Sequence, residues 1–328
     1  MDQSSHNARG LTIWFALFST ATVFALLPLT KVSFGFSDPL GLLYILIAYV
    51  AICLYCWKRR LFRLAPAFEA VGLGVFMTIP SLVASYMAAS VNMPLSDHAL
   101  ALADRAMLFD WAAFIAFIDS QPLLSHTLAF SYSTLAAQLL ALPVILGLAG
   151  RYKRIYVMIL AYGVICYLTC IISTWFPAAG TYAFYGSSSI QVDNINTHYG
   201  FAFLADFTAV RESATFDLTV QNADGIITFP SLHAGGALLC AWAAWDLKPL
   251  RYPLAIWNGL MMVSAVSHGS HYLVDVVAGL LLAVASILAV TELLHHLQQS
   301  KVRVQTPSTF MLRLLHPEAA GTSPSHHV

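Results

Sequence analysis

Eight stretches of this chain are apolar over roughly the length that a bilayer demands, and that feature alone removes most folds from consideration. A hydrocarbon core ~30 Å thick needs about 20 apolar residues per helix. The runs lie near residues 11–29, 39–57, 66–90, 126–149, 155–176, 231–247, 252–270 and 272–294. Lipid offers backbone amides no partners, so a spanning chain must be helical or close into a barrel. Long unbroken apolar runs without strict alternation read as helices. Composition agrees: 59% of residues are hydrophobic and only 10% charged, against about 25% charged in a soluble domain. The expected fold is therefore all-α, a polytopic membrane helix bundle with about eight spans. A further piece, "DWAAFIAFID" at 110–119, is too short to cross and reads as an interfacial helix. Arg9 precedes the first run as it would in a signal peptide. No small-residue cleavage site follows "LLPLTK", so the run reads as a retained anchor. From His295 onward the chain turns polar and reads as a loose tail. No internal repeat is visible.

Formal charge is balanced at +0, which gives no reason to expect nucleic acid as a partner. Cys53, Cys56, Cys166, Cys170 and Cys240 all sit inside apolar runs. That placement suits packing rather than a disulfide framework or a metal centre. Of the sixteen Lys and Arg, all but Lys31, Arg105 and Arg211 fall in segments that share one side if the N-terminus is cytoplasmic. The positive-inside rule then puts both termini in the cytoplasm. It also leaves Arg105 and Arg211 conspicuous on the outer, exoplasmic side.

On that outer side lie the chemically loaded residues. "FPSLHAGG" places Ser231 and His233 at the start of the sixth run, after the longest loop, 177–230. "SHGSHYLVD" places His271 and Asp275 at the start of the eighth. Residues four apart share a helix face, so Asp275 can orient His271 and leave its far nitrogen free to attack. A second histidine can then protonate a departing oxygen. The helix beginning at Ser231 offers backbone donors suited to phosphate. His268, three residues before His271, stands close enough in sequence to join the site. The bland alternative for each histidine is a polar helix–helix contact. For Asp275 that alternative is weak, because an unpaired carboxylate at membrane depth is costly.

Other classes fit less well. A di-iron desaturase needs several histidine boxes on the cytoplasmic side, and His268-x-x-His271 stands alone. A proton-coupled transporter would place its charges near the midplane, whereas these cluster at one surface. A b-type haem protein needs facing histidines, for which only His233 and His271 could serve. A serine hydrolase would need G-x-S-x-G, which is absent.

The motifs resemble those of the type-2 phosphatidic acid phosphatase superfamily over about residues 100–290. "PSLH" at 230–233 stands where that family has P-S-G-H. Ser264, Ala265, His271 and Asp275 fall on its S-R-x5-H-x3-D positions. "FPSLHAG", "HYLVD" and "WFPAAG" at 175–180 look most like the branch containing inositol phosphorylceramide synthase. The resemblance implies a six-helix phosphatase-type core and no metal or other cofactor. It implies a phosphohistidine formed on His271, Asp275 orienting it, His233 as general acid and Ser231 as a phosphate ligand. Its substrates would be phospholipids or sphingolipids. The family's K-x6-R-P motif is missing, and its third-motif arginine is Ala265. A doubly charged phosphate still needs compensation, and Arg211 and Arg105 are the residues expected to supply it. The resulting division is 1–65 as accessory spans, 66–294 as the catalytic membrane domain and 295–328 as a cytoplasmic tail. The expected activity is transfer of a phosphoryl headgroup to a lipid or alcohol, with hydrolysis of a lipid phosphate as the alternative.

Overall fold

The computed structural model describes residues 2–186, 192–219 and 223–305. Fourteen helices occur among them: α1 (Gln3–Leu26), α2 (Pro39–Lys58), α3 (Ala65–Ser90), α4 (Asp97–Ala106), α5 (Trp111–Asp119), α6 (Pro122–Ser133), α7 (Leu135–Leu148), α8 (Tyr152–Trp175), α9 (Thr181–Tyr185), α10 (His198–Phe201), α11 (Leu204–Glu212), α12 (Leu232–Ala244), α13 (Arg251–Ser267) and α14 (Leu273–Gln305). Two short strands, β1 (Val32–Gly35) and β2 (Phe216–Thr219), pair in parallel with Val32 opposite Phe216. This pair departs from the all-helical expectation. Four-residue strands so far apart in sequence leave no periodic signal.

Five helices are long and apolar enough to cross a membrane: α1, α2, α3, α8 and α14. The pair α6–α7, bent by 58° at its break, makes a sixth if counted as one span. The expected count of eight is therefore not reached on length and composition. The run at 231–247 yields only the 13-residue α12 and the run at 252–270 the 17-residue α13. Ser231 caps α12 at its start, so the helix cannot extend backward. The bend at Thr134 follows a run of hydroxyls. Ser131 and Thr134 bond the carbonyls of Leu128 and Ser131, competing with the helical ladder.

Helix α8 forms the centre. Its run Ile155–Ala161 is buried without interruption, as expected for a helix apolar on every face. Around it pack α1, α3, α12 and α14. Helix α1 presents a seam of small residues, Ser5, Ala8, Thr12, Ala16 and Ser19, which lets its backbone approach α8 closely. The Thr12 hydroxyl reaches the Tyr156 carbonyl at 3.2 Å, and Arg9 pairs with Glu69 of α3 at 2.6 Å. The first run is thus an integral helix of the bundle. All five cysteines are free thiols. The short run at 110–119 forms α5, capped by Asp110. Helix α14 runs on past the expected tail boundary to Gln305, and residues 306–328 lie outside the described residues.

The bundle has two distinct ends. At one, Arg154 of α8 meets Asp246 just beyond α12 at 3.4 Å and stacks over Trp242. At the other, α9 bonds the turn before α14 and α11 packs on α3.

Candidate active site

Two helix starts build the site. Ser231 precedes α12 and accepts the Ala234 N–H on its hydroxyl at 3.3 Å. The Ser231 backbone N–H donates in turn to the Asp275 carbonyl at 3.0 Å. Glycine makes this approach possible: a Cβ on Gly279 would overlap the Ser231 carbonyl, and one on Gly235 would come within 3.1 Å of the Gly279 carbonyl. Backbone therefore touches backbone where α12 crosses α14. His233, in the first turn of α12, stacks on Tyr132 with ring centroids 4.0 Å apart. Its imidazole lies within electrostatic range of His271.

His271 does not sit on the helix face that its spacing predicts. It lies two residues before α14, in the turn that follows α13. Its Nδ1 is 3.4 Å from Asp275 Oδ2, a long contact by hydrogen-bond standards. Asp275 Oδ2 also accepts the Tyr272 N–H at 2.9 Å. The carboxylate thus caps the first turn of α14 and holds the turn that carries His271. Asp275 Oδ1 is buried and has no partner among the described residues. Ser270, at φ 61°, holds a left-handed conformation that is uncommon without glycine. Helix α9 over-determines it: the Thr181 N–H donates to the Ser270 carbonyl at 2.9 Å and the Tyr182 N–H to its hydroxyl at 3.2 Å.

The remaining sequence candidates divide. His268 is fully buried, with Nδ1 on the Ser267 hydroxyl at 2.9 Å and Nε2 without a partner among the described residues. The Ser264 hydroxyl bonds the Met261 carbonyl of its own helix, so it is not directed at the histidines. Arg211, in α11, donates from Nη2 to the Met93 carbonyl at 2.8 Å and lies over Phe207. Its Nη1 is buried without a partner among the described residues. Burial pulls the guanidinium below the usual range, opposed by Asp97 and then Glu212; it remains a cation. Arg105 is exposed on α4 and interacts with Tyr185. Neither arginine is hydrogen-bonded to a site histidine among the described residues.

Three aspartates escaped the sequence reading. Asp104 accepts the Leu273 N–H on Oδ2 and the Val274 N–H on Oδ1, both at 2.9 Å. It thereby caps α14 from a different helix. Asp97 accepts the Ala179 and Gly180 N–H groups and the Tyr272 hydroxyl, each at 2.9 Å. Asp119 accepts the amides of Asp193, Asn194 and Ile195. Burial raises the Asp104 carboxyl above its usual range, with the Val274 and Leu273 amides opposing. For Asp119 burial also pushes upward, but its three amides outweigh it and the carboxyl falls below the usual range. A signal was present in the sequence: Asp97 and Asp104 are seven apart and share the buried seam of α4 with Leu100 and Ala101.

A sequence model of the PAP2 superfamily matches residues 98–289, more than half of the chain. The chain belongs to the PAP2 superfamily. No curated protein and no solved structure matches it. The stretch shared with the PAP2 superfamily agrees with the span of the motif resemblance. It contains Ser231, His233, Ser264, His268, His271, Asp275, Arg105 and Arg211, while α1–α3 precede it. Membership makes the protein an enzyme of the type-2 phosphatidic acid phosphatase class. Its general chemistry is phosphatase or phosphotransferase action on lipid phosphates. The match does not separate the inositol phosphorylceramide synthase-like branch from the rest.

Proposed function

We propose that the protein is a membrane lipid phosphate phosphatase working through His271, His233 and Asp275. One observation carries the reading: the Ser231 N–H on the Asp275 carbonyl, which brings the first turn of α12, with His233, against the first turn of α14. His271 attacks phosphorus and the P–O bond breaks. The electron pair leaves on the lipid oxygen, which takes the proton carried by His233. Water then gives His233 a proton, attacks the phosphohistidine, breaks the P–N bond and frees inorganic phosphate. Asp275 orients His271, and Ser231 with the α12 amides receives the phosphate oxygens. His268 lines the same turn. The chemistry calls on no metal or organic cofactor.

The sequence reading put transfer to a lipid or alcohol first, as in the inositol phosphorylceramide synthase-like branch. Family membership supports the shared chemistry, and hydrolysis adds nothing to it but water. Transfer remains the second reading because "FPSLHAG" and "HYLVD" favour it. Incubation in ¹⁸O-water separates the two. Hydrolysis puts one labelled oxygen into released phosphate, whereas a synthase releases no phosphate and builds a new phosphodiester.

Arg211 and Arg105 supply the positive charge in this proposal. The unpartnered Nη1 of Arg211 supports its role. Arg211→Ala and Arg105→Ala are each expected to lower kcat/KM about 10²-fold, the cost of one electrostatic contact to a transition state. Wild-type kinetics in both would remove the clamp. The basic-residue asymmetry supports cytoplasmic termini, an exoplasmic site and eight crossings, with α12 and α13 completed by flanking turns. Residues 1–65 are then accessory spans, 66–294 the catalytic domain and the chain from 295 a cytoplasmic tail.

A further inference from the structure

Helix α3 lies outside the stretch matched to the family, yet it walls two cavities, one of them lined by His233. The first, about 230 Å³, runs between α3 and α8 and is lined by Ser81, Ser85, Cys166, Thr169 and, at one end, His233. The second, about 260 Å³, lies between α3, α7 and α8 and is lined by Val71, Val75, Ala136, Leu140 and Ile159. Thr78 and Tyr162 line both cavities. Their hydroxyls meet at 3.3 Å and form a waist between them. Val75 and Leu140 are 48% and 49% exposed, so the second cavity opens sideways where lipid would be. From Ser85 to Val71 the path follows α3 for about 21 Å at 1.5 Å per residue, more than half of a ~30 Å hydrocarbon core.

The walls change character along this path. Near His233 they carry hydroxyls. Ser81, Ser85 and Thr78 bond carbonyls of their own helix. Thr169 is fully buried and its hydroxyl has no partner among the described residues. Beyond the waist the lining is aliphatic, apart from Thr78 and Tyr162.

We infer that this path along α3 holds one hydrocarbon chain of the lipid whose phosphate reacts at His271. The Thr169 hydroxyl donates to an ester or amide carbonyl at the root of that chain. The inference rests on reading the histidine pair as a lipid-phosphate site. Its occupant follows from continuity: a mostly apolar segment bearing a few hydroxyls reaches a catalytic histidine, and an aliphatic segment opens on the bilayer. Bound lipid would enter sideways past α3 and α7 and need not leave the membrane to react.

The test uses the full chain in detergent or nanodiscs, with dioleoyl and dibutyryl phosphatidic acid as probes. Ala136 is exposed in α7, so Ala136→Phe narrows the apolar segment without disturbing the core. The variant is expected to lower kcat/KM for the dioleoyl lipid tenfold or more, about what two buried methylene groups are worth, and to leave the dibutyryl lipid unchanged. Unchanged dibutyryl turnover also certifies that the variant folds. A phosphatidic acid with a diazirine near the end of one chain is expected to label α3 and α7. An equal fall on both substrates, no fall on either, or labelling confined to other helices overturns the path along α3 while leaving the reactive site standing. A wild-type protein that cleaves neither lipid overturns both.

Discussion

His271→Ala is expected to abolish phosphoryl transfer, lowering kcat by about 10⁶, the loss seen when an enzyme's nucleophile is removed. The expectation is strict because no other side chain among the described residues combines the nucleophilic nitrogen, the carboxylate partner at 3.4 Å and a place at the junction of α12 and α14. The other two members should fail differently. His233→Ala removes the proton donor and should cost ~10²–10⁴ on a lipid substrate. It should cost little in the first step on p-nitrophenyl phosphate, whose leaving group departs without a proton. The second step still needs a base, so a labelled phosphoenzyme should accumulate in His233→Ala on the aryl ester. Asp275→Asn should lose about 10⁴-fold by favouring the wrong tautomer. The long Nδ1–Oδ2 contact does not argue against this, since catalytic hydrogen bonds often tighten only once substrate binds. Turnover together with trapping of labelled phosphoenzyme checks all three. Retention of a labelled intermediate in His271→Ala would end the nucleophile assignment.

The sequence carried the parts that depend on local pattern. Four of the long helices, α1, α2, α3 and α8, lie where unbroken apolar runs place them, and α5 lies where a short run begins after an aspartate cap. Ser231, His233, His271 and Asp275 could be singled out because their spacing is local and polar groups at membrane depth demand partners. What was missed depends on contacts between distant segments. Asp97 and Asp104 have as partners backbone amides some 80 to 170 positions away. A backbone donor has no residue type, so no pattern announces it. His271 and Asp275 do meet, but not by the shared helix face that the i, i+4 argument assumed. His271 stands before the helix, and the carboxylate meets it by capping the turn. The run at 231–247 begins where Ser231 caps α12 but outlasts the helix, which ends at Ala244, because hydropathy does not mark where a helix gives way to a turn. The parallel pairing of β1 with β2 joins the chain's first loop to its longest, a contact that only the folded bundle creates.

The second large effect belongs to Asp104, which touches none of the proposed chemistry. It is 1% exposed, and its two oxygens take the first two free amides of α14. Those amides open the helix that carries Asp275, and the turn just before them carries His271. Asp104→Ala strands both amides in a dry interior, and losing this buried cap should cost about 2–4 kcal/mol. The start of α14 must then shift to find other partners. A displacement near 1 Å at a reacting group is worth about 10² in rate. The expected result is a fall in kcat of about that size with KM little changed, together with a lower Tm. Asp104→Asn keeps one acceptor oxygen but turns an NH₂ toward the other amide, so it should fall between wild type and alanine in both kcat and Tm. A purely structural aspartate would lower Tm while leaving the kcat of the folded fraction intact. A positioning aspartate moves kcat in the folded fraction as well. Wild-type kcat per folded molecule in Asp104→Ala would show that α4 only braces the bundle. The predicted graded loss would show that α4 holds the nucleophile in register from outside the helices that deliver it.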